Sequence, residues 1–256
     1  MRGVWDFYMC PVDNHLSSIA LDMGITEELP LEKMDWLVAV SVELQNPNEG
    51  GFCSPEEYPV LTEIEDHLSK GLVQTLGGIQ VGRVTGGSTR DFLFYLPTTS
   101  GVSEQVEKAM KSFTYTYKIH QQEETKWQTY WEFLYPNPWQ VKTIQNRHLI
   151  EELVGQGDDS TQIRPVDHFA YFETEDHAKE YADQVKGWDE AGWKVEAISQ
   201  GEGEESAWAV HVISQQATDL ITVNQKSAKL FEAAYHIGGE YDGWGTVLCS
   251  SPDKVN

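Results

Sequence analysis

The same succession of hydrophobic periodicities runs twice along this chain, and few folds accommodate it. In the first half, Trp36–Leu44 is rich in β-branched residues and reads as a strand. Ser54-Pro55-Glu56-Glu57 then offers a capping serine, a proline at the first helical position and a glutamate placed to reach back as a capping box. Leu61, Ile64, Leu68 and Leu72 follow at helical spacing, with an expected end near Gly77-Gly78. Ile79–Val84 and Asp91–Leu96 form a hairpin across Thr85-Gly86-Gly87-Ser88. A second helix carries Val106, Ala109, Met110 and Phe113, and Thr114–His120 alternates like a strand. In the second half, Val166–Phe172 is a strand and Thr174 caps a helix bearing Ala178, Tyr181, Val185 and Trp188. Trp193–Ile198 and Ala207–Ile213 are strands across an acidic turn at 201–205. Leu220, Val223, Leu230, Phe231 and Ala234 line a last helix, and Val247-Leu248 begins the closing strand.

Each half therefore reads βαββαβ, the ferredoxin-like split motif, in which two helices cover one face of an antiparallel sheet. The fold class expected is α+β, with two ferredoxin-like domains. An early strand pair around Val4–Met9 and Leu16–Asp22 extends the first sheet. Trp127, Tyr130, Trp131 and Leu134 form one apolar stripe, which Pro136 and Pro138 stop. The double proline places the boundary near 136–140, giving domains 1–138 and 139–256, with a further helix from Val141 to about Val154. An aromatic connector is not left in water, so the stripe is expected to be an interdomain contact.

Forty-one acids against eighteen bases give a net charge of -23. There is no acidic tail: residues 140–256 hold 21 acids and 9 bases, a net of -12, and the first half is similarly acidic. Such a surface repels nucleic acid and anionic membrane and suits basic protein partners, unless it serves solubility alone. Cys10, Cys53 and Cys249 are far apart, and no Cys/His spacing suits zinc or a redox pair. No cofactor and no metal are expected, and three ordinary thiols fit a reducing cytoplasm. The start lacks an apolar signal core, and no apolar run approaches the ~20 residues of a membrane span.

Catalytic constellations are missing. No Gly-x-Ser-x-Gly elbow is present, and Thr85-Gly86-Gly87-Ser88-Thr89-Arg90 lacks the Gly-Lys-Ser/Thr of a phosphate loop. His168 shares a strand face with Val166, Ala170 and Phe172, which reads as a hydrogen-bonded core histidine against a catalytic alternative. Phe169, Tyr171, Trp208 and Trp193 are candidates for exposed strand faces, where an RNA-recognition sheet would stack bases. RNA binding is thus a rival to protein binding, opposed by the charge; a ferredoxin-like-barrel enzyme is a third reading, without an acid, base and nucleophile set. The densest signature is Gly238-Gly239-Glu240-Tyr241-Asp242-Gly243-Trp244-Gly245. Its glycines suit a helix cap and a turn into the last strand. Tyr241, Asp242, Gly243 and Trp244 are either structural or a partner-binding anchor.

This segment, with Val166-Asp167-His168-Phe169-Ala170-Tyr171-Phe172, resembles the regulator of ribonuclease activity B family over roughly residues 140–250. The resemblance implies a bacterial, non-enzymatic protein that binds and inhibits ribonuclease E. It marks His168, Phe169, Tyr171, Gly239, Tyr241, Asp242, Gly243 and Trp244 as signature or interaction residues. Residues 1–135 resemble an uncharacterised bacterial domain often fused to such a regulator, through Trp5-Asp6-Phe7-Tyr8, Gly51-Phe52-Cys53-Ser54-Pro55-Glu56-Glu57 and Arg90-Asp91-Phe92-Leu93-Phe94-Tyr95.

Overall fold

The computed structural model describes residues 3–28, 31–188, 192–201 and 207–249. The chain divides into two compact units, Met1–Asn137 and Pro138–Asn256.

The first unit runs β1 (Trp5–Val12), β2 (His15–Asp22), β3 (Trp36–Glu43), α1 (Tyr58–Ser69), β4 (Ile79–Gly86), β5 (Thr89–Leu96), α2 (Val102–Met110) and β6 (Tyr117–Glu123). Its six strands lie in the order β1-β2-β4-β5-β3-β6, with every pairing antiparallel. Four of them, β4-β5-β3-β6, have the arrangement of the split βαββαβ motif. The hairpin β1–β2 adds to the β4 edge, as the early apolar pair leads one to expect. Alternation along β3 and β5 sends Val38, Val40, Val42, Phe92, Phe94 and Leu96 to the face covered by α1 and α2. There they meet Leu61, Ile64, Leu68, Val106 and Met110.

One expectation is corrected in this unit. The capping box forms by half. Ser54 Oγ accepts from the Glu57 amide at 3.2 Å, but α1 begins only at Tyr58, and the Glu57 carboxylate accepts instead from the amides of Gln45 and Asn46 at 2.7 and 3.2 Å. The loop after β3 presents two N–H groups, and charge-assisted bonds to them hold the carboxylate there. Of the aromatic stripe, Trp127, Tyr130 and Leu134 are fully buried, the latter two in a π-type turn over Thr129–Leu134, whereas Trp131 is 41 % exposed. Trp127 stacks on Tyr95 with ring centroids 3.9 Å apart, Tyr130 donates its hydroxyl to the Asp22 carbonyl, and Tyr8 donates to the Leu134 carbonyl at 3.0 Å. These partners lie on the sheet face opposite the helices. Buried Glu124 anchors the segment, accepting from the Tyr95 hydroxyl at 2.6 Å and from Thr129 Oγ1 at 2.7 Å.

The second unit runs α3 (Pro138–Gly155), β7 (Arg164–Phe172), α4 (Glu175–Lys186), β8 (Trp193–Gln200), β9 (Trp208–Gln216), α5 (Leu220–His236) and β10 (Glu240–Thr246). The sheet order is β10-β7-β9-β8, again the split motif and again antiparallel. Thr174 and Asp219 cap α4 and α5, each accepting from the amide three residues on. The core joins Ala170, Phe172, Val210 and Val212 of the sheet to Tyr181, Val185, Leu230 and Ala234 of the helices. Arg164, buried, pairs with Asp158 at 2.5 Å and donates to Thr218, fastening the chain after α3 to the start of β7.

Here too the sequence reading needs correction. The closing strand is the glycine-rich signature itself, not a run beginning at Val247-Leu248, both of which are exposed beyond it. Trp193 and Trp208 do not lie on an open face. They pack against the helix-side core, because their pairing partners Ser214 and Gln200 fix them in register with Val210 and Val212. The acidic turn's Glu202, Glu204 and Glu205 lie outside the described residues. Among the described residues no helix is long and apolar enough to cross a membrane.

Candidate functional site

The signature begins where α5 stops. Gly239 donates its amide to the Ala234 carbonyl at 2.8 Å, and a Cβ on it would lie 2.1 Å from the Phe172 ring. Only glycine lets the chain pass so close to that ring. β10 then pairs with β7, with a bulge between Tyr241 and Gly243. In an unbroken strand, residues three apart point to opposite faces; the extra residue, Asp242, turns Tyr241 and Trp244 to the same side. Both are buried against the helices.

Each anchor ends in a specific polar partner. Tyr241 Oη lies 2.9 Å from His168 Nδ1 and 3.2 Å from Ser227 Oγ. His168 Nε2 lies 3.0 Å from Ser214 Oγ, which donates to Gln216. Burial pulls the His168 pKa down to about 3, with Lys226 and His211 adding a smaller push in the same direction. The ring is therefore neutral at pH 7, and its hydrogen bonds serve the core. Trp244 is 8 % exposed, and its Nε1 donates to Asn146 Oδ1 at 2.9 Å. Asn146 in turn donates to Asn224, so α3, α5 and β10 meet at one polar knot surrounded by Leu153, Val166 and Val223. Asp242 is exposed, and its carbonyl accepts from Lys142 Nζ at 2.7 Å. Gly243 sits on the outer strand beside Phe169.

The eight signature residues thus separate into two sets. His168, Gly239, Tyr241 and Trp244 build the core of the unit. Phe169 and Tyr171 lie on the other face of the sheet, with Asp242 and Gly243 at its edge. The open face also holds two residues that the sequence reading did not single out for it. His211 stacks on Phe169 with centroids 4.8 Å apart and planes 13° off parallel, and its Nε2 lies 2.6 Å from Asp167 Oδ1. The pairing of Phe169 with His211 across β7 and β9 brings them together. Alternation about Val210 and Val212 was the available signal, since it places His211 opposite the core. Tyr171 is 39 % exposed. The Asp167–His211 pair has no hydroxyl or thiol hydrogen-bonded to it among the described residues, so it does not constitute a nucleophilic triad. Nor do three or more His, Cys, Asp or Glu gather among the described residues as a metal site would need. What the face offers is a partly exposed aromatic patch, Phe169, Tyr171 and His211, with Asp167 hydrogen-bonded beside it.

Both edge strands of this sheet are bulged. Besides Asp242 in β10, the register of β8 shifts between Val195 and Ala197. Glu196 sits at that shift, paired with Lys194. Bulges and charges oppose the addition of a further strand.

Comparison with known proteins adds to this geometry. Two solved structures are similar at low scores. A candidate glycine cleavage system transcriptional repressor has 9 % identity and a TM-score of 0.23, covering 84 % of this chain and 98 % of its own. An unknown protein from Galdieria sulphuraria has 8 % identity and a TM-score of 0.22, covering 83 % and 99 %. Neither score carries an argument about fold or function. Among curated proteins, none matches. Residues 143–246 match the regulator of ribonuclease activity B family, a family of regulators rather than enzymes, from within α3 to the end of β10. Residues 4–135 match a second family, described only as of unknown function. As that match spans more than half of the sequence, the chain belongs to the family of unknown function DUF695, and its second unit carries the regulator of ribonuclease activity B signature.

Proposed function

We propose that this protein is a non-enzymatic regulator that binds a ribonuclease of the E type and slows RNA cleavage, with the open sheet face of the second unit as its docking surface. The match of residues 143–246 to the regulator family carries this reading. The geometry supports it. The bulged edges oppose strand addition, and the sheet face of Phe169, Tyr171 and His211 is partly exposed. The unit's net charge of -12 suits arginine-rich segments of a ribonuclease scaffold and opposes RNA phosphates.

The test is an RNA-cleavage assay with ribonuclease E from the same host and the full-length chain. Inhibition is expected, weakening as salt shortens the Debye length to about 8 Å or less. It should be lost on Phe169→Ser with Tyr171→Ser. No binding and no inhibition at tens of micromolar would reject the assignment. RNA as the direct ligand is the competing reading, since Phe169 and Tyr171 also suit base stacking. Sub-micromolar, salt-sensitive anisotropy with single-stranded RNA alone would favour it.

A further inference from the structure

We propose that the first unit binds a small organic monocarboxylate in a cavity walled by Arg90 and three aromatic rings. The cavity has a volume of about 280 Å³ and lies between α1 and the added hairpin, where the sheet extends past its helices. Its wall includes Phe7, Phe52, Cys53, Tyr58, Thr85 and Arg90. A neighbouring space of about 480 Å³ shares Phe7, Ala20 and Arg83 with it.

Arg90 is the reason to look for a ligand. It alternates in register with Phe92, Phe94 and Leu96, so β5 delivers it to the buried helix-side face, where it is 4 % exposed. Its Nε donates to Thr85 Oγ1 at 2.8 Å and its Nη2 to Cys53 Sγ at 3.4 Å. The guanidinium lies 5.3 Å from the centre of the Tyr58 ring. Nη1 is buried without a partner. Among the described residues no carboxylate pairs with Arg90. The other arginines show the contrast: Arg164 has Asp158, and Arg83 has both oxygens of Glu65. A guanidinium taken out of water without a counter-charge is costly, and an unmade hydrogen bond adds to the cost. A bound anion would supply both.

The surroundings select the anion. Arg83 is neutralised by Glu65, so the site has one positive charge to offer, and Glu65 would repel a dianion. The Thr85 hydroxyl accepts from Arg90 and keeps its own proton to donate. One charge and a few neutral donors fit a carboxylate rather than a phosphate. Phe7, Phe52 and Tyr58 fit an aromatic or branched aliphatic body. The wall is also held in place by its own chain: Gly51, at φ +78°, accepts from the Ser88 amide at 3.0 Å, and a Cβ there would lie 3.0 Å from the Gly87 and Ser88 nitrogens. That close approach sets Phe52 and Cys53 beside Arg90. Each of the three stretches by which this unit resembles its family supplies a wall residue: Phe7, then Phe52 and Cys53, then Arg90.

Cys53 provides a probe in the wild-type protein. Iodoacetamide alkylation is followed peptide by peptide in the full chain, with Cys10 and Cys249 as internal references, since all three thiols are free and partly exposed. Phenylacetate at ten times its dissociation constant should slow labelling of Cys53 by about tenfold. Labelling of Cys10 and Cys249 should not change, and phenylacetamide should not protect. Arg90→Gln should abolish the protection while keeping or raising the melting temperature, because it removes an uncompensated buried charge. Should that variant fail to fold, the wild-type comparison of acid with amide still decides. Equal protection by phenylacetamide, protection by inorganic phosphate but not phenylacetate, or no protection by phenylacetate at about 10 mM would each overturn the proposal.

Discussion

Tyr95 and Tyr171 stand on the same kind of surface, the sheet face that the helices leave free, in units that share the four-stranded split motif. Tyr95 is fully buried; Tyr171 is not. The difference lies in the chain beyond the last strand. After β6 the first unit folds Trp127, Tyr130 and Leu134 back over its sheet, with Glu124 as the anchor. After β10 the second unit offers no such cover among its described residues. One motif thus gives a sheet closed on the face away from its helices, with the Arg90 cavity on the helix side, and a sheet whose aromatic face stays partly exposed. An unpartnered aromatic face is informative only when a sister domain shows that the fold can cover it.

That comparison can be broken most directly at Trp127. Trp127→Ala removes a fully buried ring from the closed face and should cost about 3–5 kcal/mol. The expected result is early thermal unfolding of the first unit, resolved by hydrogen exchange in the full chain. A loss below about 1 kcal/mol would mean that the cover is not structural.

Acid should separate the units next. His168 has a folded-state pKa of about 3, below its ordinary value of 6.5. The unfolded chain takes up the proton first as pH falls, so His168's contribution is whole above about 6.5 and is lost progressively toward 3. The slope within that window approaches about 1.4 kcal/mol per pH unit. The first unit has no counterpart, since His15, His67 and His120 are not buried. Exchange protection in β7 and β10 should therefore fall with pH, and His168→Gln should flatten that part of the dependence. An unchanged slope in the variant would remove the histidine from the account.

Trp244→Phe keeps an aromatic side chain but loses the pyrrole ring and with it the donor to Asn146. The orphaned acceptor should cost about 1–3 kcal/mol, read as a lower melting temperature of the second unit, with the proposed inhibition of a ribonuclease unchanged. Loss of inhibition at an unchanged melting temperature would restore Trp244 to the interface.

The smallest stability effect belongs to the open face. Tyr171→Ser should change stability by about 0.5 kcal/mol or less. If the face docks a partner, the same substitution should weaken binding by about 2 kcal/mol, or roughly thirtyfold. A large stability loss with intact binding would reverse the contrast between the two tyrosines.

The helices and strands were legible wherever the periodicity ran unbroken. Val166–Phe172 showed its alternation, and the four leucine and isoleucine positions from Leu61 to Leu72 showed theirs. The added hairpin was legible for the same reason. The two faces of β10 were not, because a bulge changes the count by one and nothing local to Asp242-Gly243 distinguishes a bulge from a turn. The aromatic stripe announced that it would be buried but not against what; helical spacing defines a face, not its partner. Arg90 was readable in principle. An arginine in step with Phe92, Phe94 and Leu96 is out of place on a buried face, and that mismatch, rather than any motif, was the signal.

The position of the cover within the first unit has a consequence for biosynthesis. All six strands of that sheet leave the ribosome before Trp127 does. Until the chain has grown past Leu134, the face carrying Leu93 and Tyr95 has nothing to close it, while the helix side can already pack. The nascent unit therefore exposes a greasy sheet during elongation, the kind of surface that chaperones engage and that aggregates in their absence. A stop or pause placed between β6 and the aromatic turn would release a species with its strands complete and its lid unmade.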